Sequence, residues 1–161
     1  VNNIHLAINI RQPDNRQAIA RDLTRLSDLR NMADIIEARP ALPTLNSGSF
    51  IQNLSASVWP SWKGALSSDL GATLPLDPKN NIICPAKYDQ TTCFSRKENL
   101  SFECGVGSHI YQYKYNSASP ADFTLKAGLE YQGANWAHPA GGRWGTYNND
   151  QCANTFYGSS R

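Results

Sequence analysis

The chain has 161 residues and a mass of 17.8 kDa, which suits one domain with a modest hydrophobic core. Its 40% hydrophobic content, with four Trp, seven Tyr and five Phe residues, excludes a disordered chain. The 15 basic and 13 acidic residues leave a net charge of +2, which argues against a polybasic membrane-surface protein or a dedicated nucleic-acid-binding protein. We therefore expect no nucleic-acid partner.

The N-terminal part of the chain predicts a long amphipathic helix over residues 14–38. Pro13 is a start signal and Pro40 a stop signal. Apolar residues recur at steps of three and four, as on one face of a helix: Ile19, Leu23, Leu26, Leu29, Ala33 and Ile36. Opposite charges at similar spacing predict an exposed polar face: Arg25 with Asp28, and Arg30 with Asp34. Residues 1–10 instead alternate apolar and polar side chains, so that segment taken alone could form a strand.

The middle of the chain is rich in proline and predicts irregular structure. Residues 49–59 could hold a short helix or a short strand, and a helical turn over 65–70 should end at Gly71. The following Leu-Pro-Leu-Asp-Pro sequence, residues 74–78, must run extended or turn, because a residue before proline avoids the helical region. We interpret Asp77 and Pro78 as turn residues rather than as part of a catalytic carboxylate pair.

Two alternating segments predict an antiparallel hairpin. Residues 109–116 and 121–131 both alternate with period two, and a short Asn-Ser-Ala-Ser-Pro sequence separates them. The sequence therefore predicts an α+β fold in which the long N-terminal amphipathic helix packs on a small antiparallel β-sheet. Residues 82–107 should be rich in loops.

The C-terminal residues after Tyr131 are rich in Gly and Asn and predict an irregular tail. The tail contains four aromatic residues that could cover the sheet or form a sugar-stacking surface: Trp136, Trp144, Tyr147 and Tyr157. Of these two interpretations, covering the sheet is favoured.

The four cysteines predict disulfides and an oxidising compartment. Their even number suits such a framework, whereas a zinc site is disfavoured because no C-x-x-C and no histidine at ligand spacing occurs. Three pairings are possible. We prefer Cys84 with Cys93 as a local loop and Cys104 with Cys152 as the bond that holds the tail.

No catalytic motif is present in the sequence. Nucleophile elbows, phosphate-binding loops and the His-Glu-x-x-His zinc motif are all absent. We interpret the three histidines, His5, His109 and His138, as structural residues. The sequence therefore predicts no enzyme activity, no cofactor and no metal.

The order of these features resembles the type IV pilins and the pseudopilins of type II secretion, especially the major pseudopilins. The resemblance lies in the helical Ala-Arg-Asp and Arg-Leu-Ser-Asp-Leu sequences at 20–22 and 25–29, and in the Leu-Pro-Leu-Asp-Pro segment. It continues through the Tyr-Gln-Tyr strand at 111–113 and the strand at 122–130. Together these pieces cover about half of the chain, and the match rests on their order and spacing rather than on any one piece.

The resemblance implies a structural subunit that acts by polymerising into an extracellular filament at the bacterial cell surface. Members of that family begin with a processed apolar segment of about twenty residues that anchors the subunit in the inner membrane and then forms the filament core. That segment does not precede residue 1 here, so residues 1–10 would be its last part, with the rest trimmed or outside this sequence. Residues 1–38 would then be the C-terminal part of a spine helix, and 39–161 a globular head.

The partners implied by the resemblance are other copies of the chain, the pilus or secretion assembly machinery, and the inner membrane before assembly. The residues expected to contact neighbouring helices are Ile4, Ile8, Ile19 and Leu23. The alternative function, from a different class, is a secreted module that binds carbohydrate or protein. An apolar segment before residue 1 would indicate a filament subunit, and a cleavable signal peptide there would indicate the binding module.

Overall fold

The structure, a computed structural model, describes residues 13–118 and 122–131, together with two backbone strands at 144–148 and 156–157. The fold is α+β, as predicted, with one long N-terminal helix, a small sheet and a disulfide. The expected continuation of the helix through residues 1–10 lies outside the described residues. Among the described helices, none is long and apolar enough to cross a membrane.

Helix α1 spans Pro13–Glu37, within one residue of the predicted bounds at each end. Its C-terminal half is buried through Leu29, Met32, Ala33 and Ile36. These side chains share one core with the sheet residues Tyr111, Tyr113, Phe123, Leu125 and Ala127. The helix is therefore packed on the sheet through its C-terminal half.

The connection from α1 to the sheet contains β1 and a short helical segment. Strand β1 (Leu54–Ala56) lies in the range where the sequence left helix and strand open. A π-helical turn, Trp62–Leu66, continues into α2 (Ser67–Leu70). This segment ends at Gly71, as predicted, because that glycine adopts the left-handed conformation with φ of 60°.

The main sheet has four strands in the order β1-β4-β5-β6, where β4 is Tyr111–Tyr115, β5 is Phe123–Leu129 and β6 is Trp144–Asn148. Strands β4 and β5 form the predicted antiparallel hairpin, with Tyr113 opposite Leu125. Strand β6 pairs parallel to β5, so the sheet is not purely antiparallel.

Residues 82–107 are loop-rich, as predicted, apart from two strands of two residues each. The prediction of an irregular tail was wrong in part. Short strands β2 (Phe94–Ser95), β3 (Ser101–Phe102) and β7 (Phe156–Tyr157) form a second sheet in the order β2-β3-β7. A strand of two residues is too short to show an alternating pattern. The tail strands pair with partners distant in the sequence, and the Gly- and Asn-rich tail gives no local signal for them.

Two hydrophobic clusters lie on opposite faces of the main sheet. Successive side chains of a strand point to opposite faces, so Leu54 and Ala56 point away from α1. They belong to a second cluster that also contains Ile51, Trp59, Phe94, Phe102 and Ile110. The disulfide-bonded Cys93 lies in the same cluster. The sheet is thus covered on one face by α1 and on the other by the disulfide-containing segment.

Candidate functional site: two faces of the N-terminal helix

In the N-terminal half of α1 the buried residues are charged, whereas the apolar pattern predicted buried leucines there. Asp22 is 3% exposed and Arg25 is fully buried, whereas Leu23 is 50% exposed. Leu26 is only half-buried and lies outside the core. The prediction of one continuous apolar face from Ile19 to Ile36 was therefore wrong for this half.

Arg25 is enclosed by three carboxylates from different parts of the chain. Its Nε donates to Asp77 Oδ2 at 2.6 Å and its Nη2 donates to Asp77 Oδ1 at 2.8 Å. Its Nη1 lies 2.8 Å from Asp22 Oδ1 and 2.7 Å from Glu130 Oε1. The predicted exposed pairing of Arg25 with Asp28 was wrong, because Asp28 instead accepts a hydrogen bond from the Tyr111 hydroxyl at 2.6 Å.

Two further cations bind the outer side of Glu130. Arg21 donates to both of its carboxylate oxygens, at 2.7 and 2.6 Å, and Lys79 Nζ lies 2.8 Å from Oε2. We call the six charged residues the Arg25 cluster: Arg21, Asp22, Arg25, Asp77, Lys79 and Glu130. Three cations face three carboxylates, so the cluster is neutral when every member is ionised.

The carboxylates of the Arg25 cluster also bind backbone amides. Asp22 accepts hydrogen bonds from the backbone N–H groups of Glu130 and Tyr131, at 3.0 and 2.9 Å, just beyond the end of β5. Asp77 accepts from the backbone of Lys79 and Asn80 at 2.9 and 3.3 Å, which is the predicted turn chemistry. The cluster therefore ties α1 to both the sheet and the Leu-Pro-Leu-Asp-Pro segment.

The environment of the cluster favours the ionised forms of Glu130 and Arg25. Burial alone would raise the pKa of Glu130, but hydrogen bonds from Arg21, Lys79 and Arg25 outweigh burial and lower that pKa to about 2. Burial likewise favours neutral Arg25, yet the hydrogen bonds and charge of Asp77 raise the arginine pKa overall. A carboxylate with so low a pKa is a poor general acid or base at neutral pH.

His109 is buried near the cluster. It is 5% exposed, and its Nδ1 is 3.3 Å from the carbonyl oxygen of Gly128, so that nitrogen carries the proton and donates. Burial, together with the charge of Arg25, lowers the pKa of His109. His5 and His138 lie outside the described residues. Within the described ranges, no group of three His, Cys, Asp or Glu side chains is placed to hold a metal ion.

A second face of α1 carries apolar residues that the core does not cover. Leu23 is half-exposed, and Ile19 and Leu26 are half-buried on the same side of the helix. We call these three residues the outer helix face. Of the predicted assembly residues, Ile19 and Leu23 lie on this face, whereas Ile4 and Ile8 lie outside the described residues.

The disulfide joins Cys84 to Cys93, the preferred local pairing. Cys104 is also disulfide-bonded, and Cys152, its predicted partner, lies outside the described residues. The aromatic side chains proposed as a sugar-stacking surface in the tail likewise lie outside the part of the chain whose side chains are described.

A shallow cleft of about 360 Å³ is lined by Ser57, Val58, Trp59, Pro60, Lys63 and Asn80.

One signal in the sequence could have revealed the two helix faces. The apolar positions from Ile19 to Ile36 are on average about 3.4 residues apart, less than the 3.6 residues of one helical turn. Such a stripe winds around the helix by roughly 20° at each step. Its N-terminal end therefore faces about 100° away from the part that packs on the sheet.

Comparison of the chain with family models, curated proteins and solved structures found no match.

Proposed function

We propose that this chain is a structural subunit of an extracellular type IV pilus-like or pseudopilus filament and acts by polymerisation. The observation that carries the proposal is the outer helix face. Leu23 is 50% exposed, and the partly covered Ile19 and Leu26 lie on the same side of the helix, so the three residues form an apolar strip that another helix could cover.

The sequence extends this apolar surface toward the N-terminus. If the helix continues through residues 1–12, Ile4 and Ile8 fall within about 100° of Ile19 and Leu23, because each residue advances the helix by about 100°. If this apolar stripe contacts a different surface of the next copy, and the rotation between copies does not close into a ring, the contact generates an open helical filament.

The disulfide fits an oxidising, extracellular environment. A filament exposed to the medium gains from covalent crosslinks, since they stabilise each subunit without help from its neighbours. The inner membrane and the assembly machinery would be partners before polymerisation. We expect an apolar segment of about twenty residues to precede residue 1 in the complete protein.

The test is a single substitution in the complete protein, in cells that assemble the filament. Leu23→Lys should abolish filaments seen by electron microscopy, because a lysine buried between packed helices has no partner. Purified Leu23→Lys protein should keep the parental circular dichroism and urea midpoint. Thr24→Lys, a change at the adjacent exposed position, is the matched control and should leave assembly intact.

Normal filaments from the Leu23→Lys strain would remove the outer helix face from the assembly surface. A cleavable signal peptide before residue 1, with a monomeric secreted product, would instead favour a carbohydrate- or protein-binding module.

A further inference from the structure

The loop of residues 46–53, between α1 and β1, presents an aromatic ring at the surface. Phe50 is 40% exposed, although phenylalanine is usually buried. Its ring stacks on Phe94 with the two centroids 5.1 Å apart, and it lies perpendicular to the Trp59 ring at 5.2 Å. Phe94 and Trp59 are themselves buried in the second cluster. One part of the Phe50 ring is therefore fixed on the cluster, and the remainder is open to solvent.

We call residues 46–53 the Phe50 loop, and its backbone is held on both sides. Leu45, just before the loop, is buried in the core beneath α1, and Ile51 is buried in the second cluster. Leu45 and Asn53 adopt the left-handed conformation, with φ of 49° and 68°, which side chains other than glycine rarely tolerate. Such residues persist only where the surrounding structure holds them, and they concentrate at binding sites. The loop therefore presents Phe50 in a fixed position.

The side chains that the loop exposes beside Phe50 are uncharged. They are Asn46, Ser47 and Gln52, and Gln52 Nε2 donates to Asn46 Oδ1 at 3.0 Å. Gln52 keeps its Oε1 and its second amide hydrogen outside that bond. Residues 40–62 contain no acidic or basic side chain, although 17% of the residues in the chain are charged. The loop thus combines an aromatic ring with amide and hydroxyl groups and offers no ion to a ligand.

The shallow cleft of about 360 Å³ adjoins the Phe50 loop, because Trp59 both lines the cleft and contacts Phe50. Apart from Lys63, the residues that line it are uncharged. An open cleft beside an exposed ring suits an extended ligand of repeating units better than a small molecule that must be enclosed.

We propose that the Phe50 loop is a binding site for a neutral, β-linked polysaccharide of the glucose type. A pyranose of this type carries its hydroxyl groups around its edge and only C–H groups on its two faces. The C–H face would pack on the exposed part of the Phe50 ring, whose π-system attracts the polarised hydrogens. The hydroxyl groups at the edge would exchange hydrogen bonds with Gln52.

The uncharged loop favours this ligand over the other classes that an exposed aromatic ring could serve. A phosphate, a uronic acid or an acidic peptide is bound most strongly by charge-assisted hydrogen bonds, and the Phe50 loop has no cation to donate them. The site belongs to a single chain, so the inference does not rest on the proposed filament function and can be tested without filaments.

Electrophoresis of the purified 161-residue chain through native gels that contain a soluble mixed-linkage β-glucan measures the binding. The parent should be retarded in proportion to the glucan concentration, which gives a dissociation constant. Phe50→Leu keeps an apolar side chain on the cluster but removes the ring, and it should weaken binding by about fivefold or more. Gln52→Ala, a change at an exposed position, should weaken binding by about threefold. Circular dichroism and the urea midpoint of each variant check that the fold is retained.

Val106→Ser is the matched control, because Val106 is an apolar residue 64% exposed outside this loop, and its loss should leave the retardation unchanged. A parent that is not retarded overturns the proposal, as does a folded Phe50→Leu variant retarded as strongly as the parent. Carboxymethyl cellulose provides the anionic comparison. Retardation by this polymer alone, abolished by added salt, would show attraction to the net positive charge of the chain and would equally overturn the proposal.

Discussion

Arg25 and Asp77 form a two-point hydrogen-bonded ion pair in which neither side chain is exposed to solvent. The two residues are 52 positions apart, so the pair joins α1 to the segment that leads into the disulfide region. A buried pair of this kind adds little net stability compared with a well-packed apolar pair, but removing one partner leaves an uncompensated charge.

We therefore predict that Arg25→Met lowers the free energy of unfolding by about 3–5 kcal/mol. Asp77→Leu added to Arg25→Met should recover part of that loss, because no buried carboxylate then remains at that position. Urea unfolding monitored by circular dichroism measures both changes. Lys87→Met, at a side chain that is 79% exposed, is the control and should change stability by no more than about 0.5 kcal/mol. An Arg25→Met protein as stable as the parent would contradict the buried pair.

Leu29 and Leu23 provide a matched test of how α1 is rotated. Leu29 is fully buried in the core, so Leu29→Ala should cost about 2–5 kcal/mol through lost burial and the cavity that it leaves. Leu23→Ala, at a residue 50% exposed, should change the unfolding free energy by about 0.5 kcal/mol or less. Urea unfolding of both variants shows which of the two leucines faces the core. Similar losses at the two positions would mean that Leu23 is buried within the subunit.

The pKa of Glu130 predicts how stability depends on acid. Because this pKa is lowered from 4.5 to about 2 in the folded chain, the folded state binds fewer protons than the unfolded state between those pH values. The stabilisation from ionised Glu130 is complete above about pH 5 and disappears as the pH falls toward 2. Glu130→Gln should therefore be less stable than the parent at pH 7, with the difference shrinking between pH 5 and 2. A difference that is constant across this range would show that Glu130 does not titrate as an ion-paired group.

The Cys84–Cys93 disulfide should contribute about 2–3 kcal/mol, the amount expected for closing a short loop with a separation of nine residues. Cys84→Ser with Cys93→Ser should lower the unfolding free energy by that amount. Intact mass measured before and after reduction checks the oxidation state: freshly purified chain should gain about two mass units for each disulfide reduced. Four free thiols in the fresh protein would remove the support for an extracellular location.

Helix α1 and the β4–β5 hairpin could be predicted from the sequence because their signals are local. The bounds of α1 follow from Pro13 and Pro40, and the hairpin follows from period-two alternation on both sides of a short turn. Strand β6 could not be predicted, because its parallel partner β5 is separated from it by a segment with no alternation.

The Arg25 cluster escaped prediction for a different physical reason. Charge pairs three or four residues apart usually mark an exposed helix face, and nothing near Arg25 in the sequence indicates that Asp77 and Glu130 come to it from 52 and 105 positions away. The winding of the apolar stripe predicts that the N-terminal half turns away from the core. It does not predict that charged residues take the vacated position.

Because an N-terminal helix packs on strands that come much later in the chain, its core contacts cannot form until late in synthesis. Helix α1 is complete when residue 37 has been added, but β5, which it packs against, ends at Leu129. At about 5–20 residues per second, the ribosome needs roughly 5–20 s to add the intervening residues. Throughout that interval the apolar side chains of Leu29, Met32 and Ile36 have no sheet to cover them, which leaves time for a chaperone to bind this segment of the nascent chain.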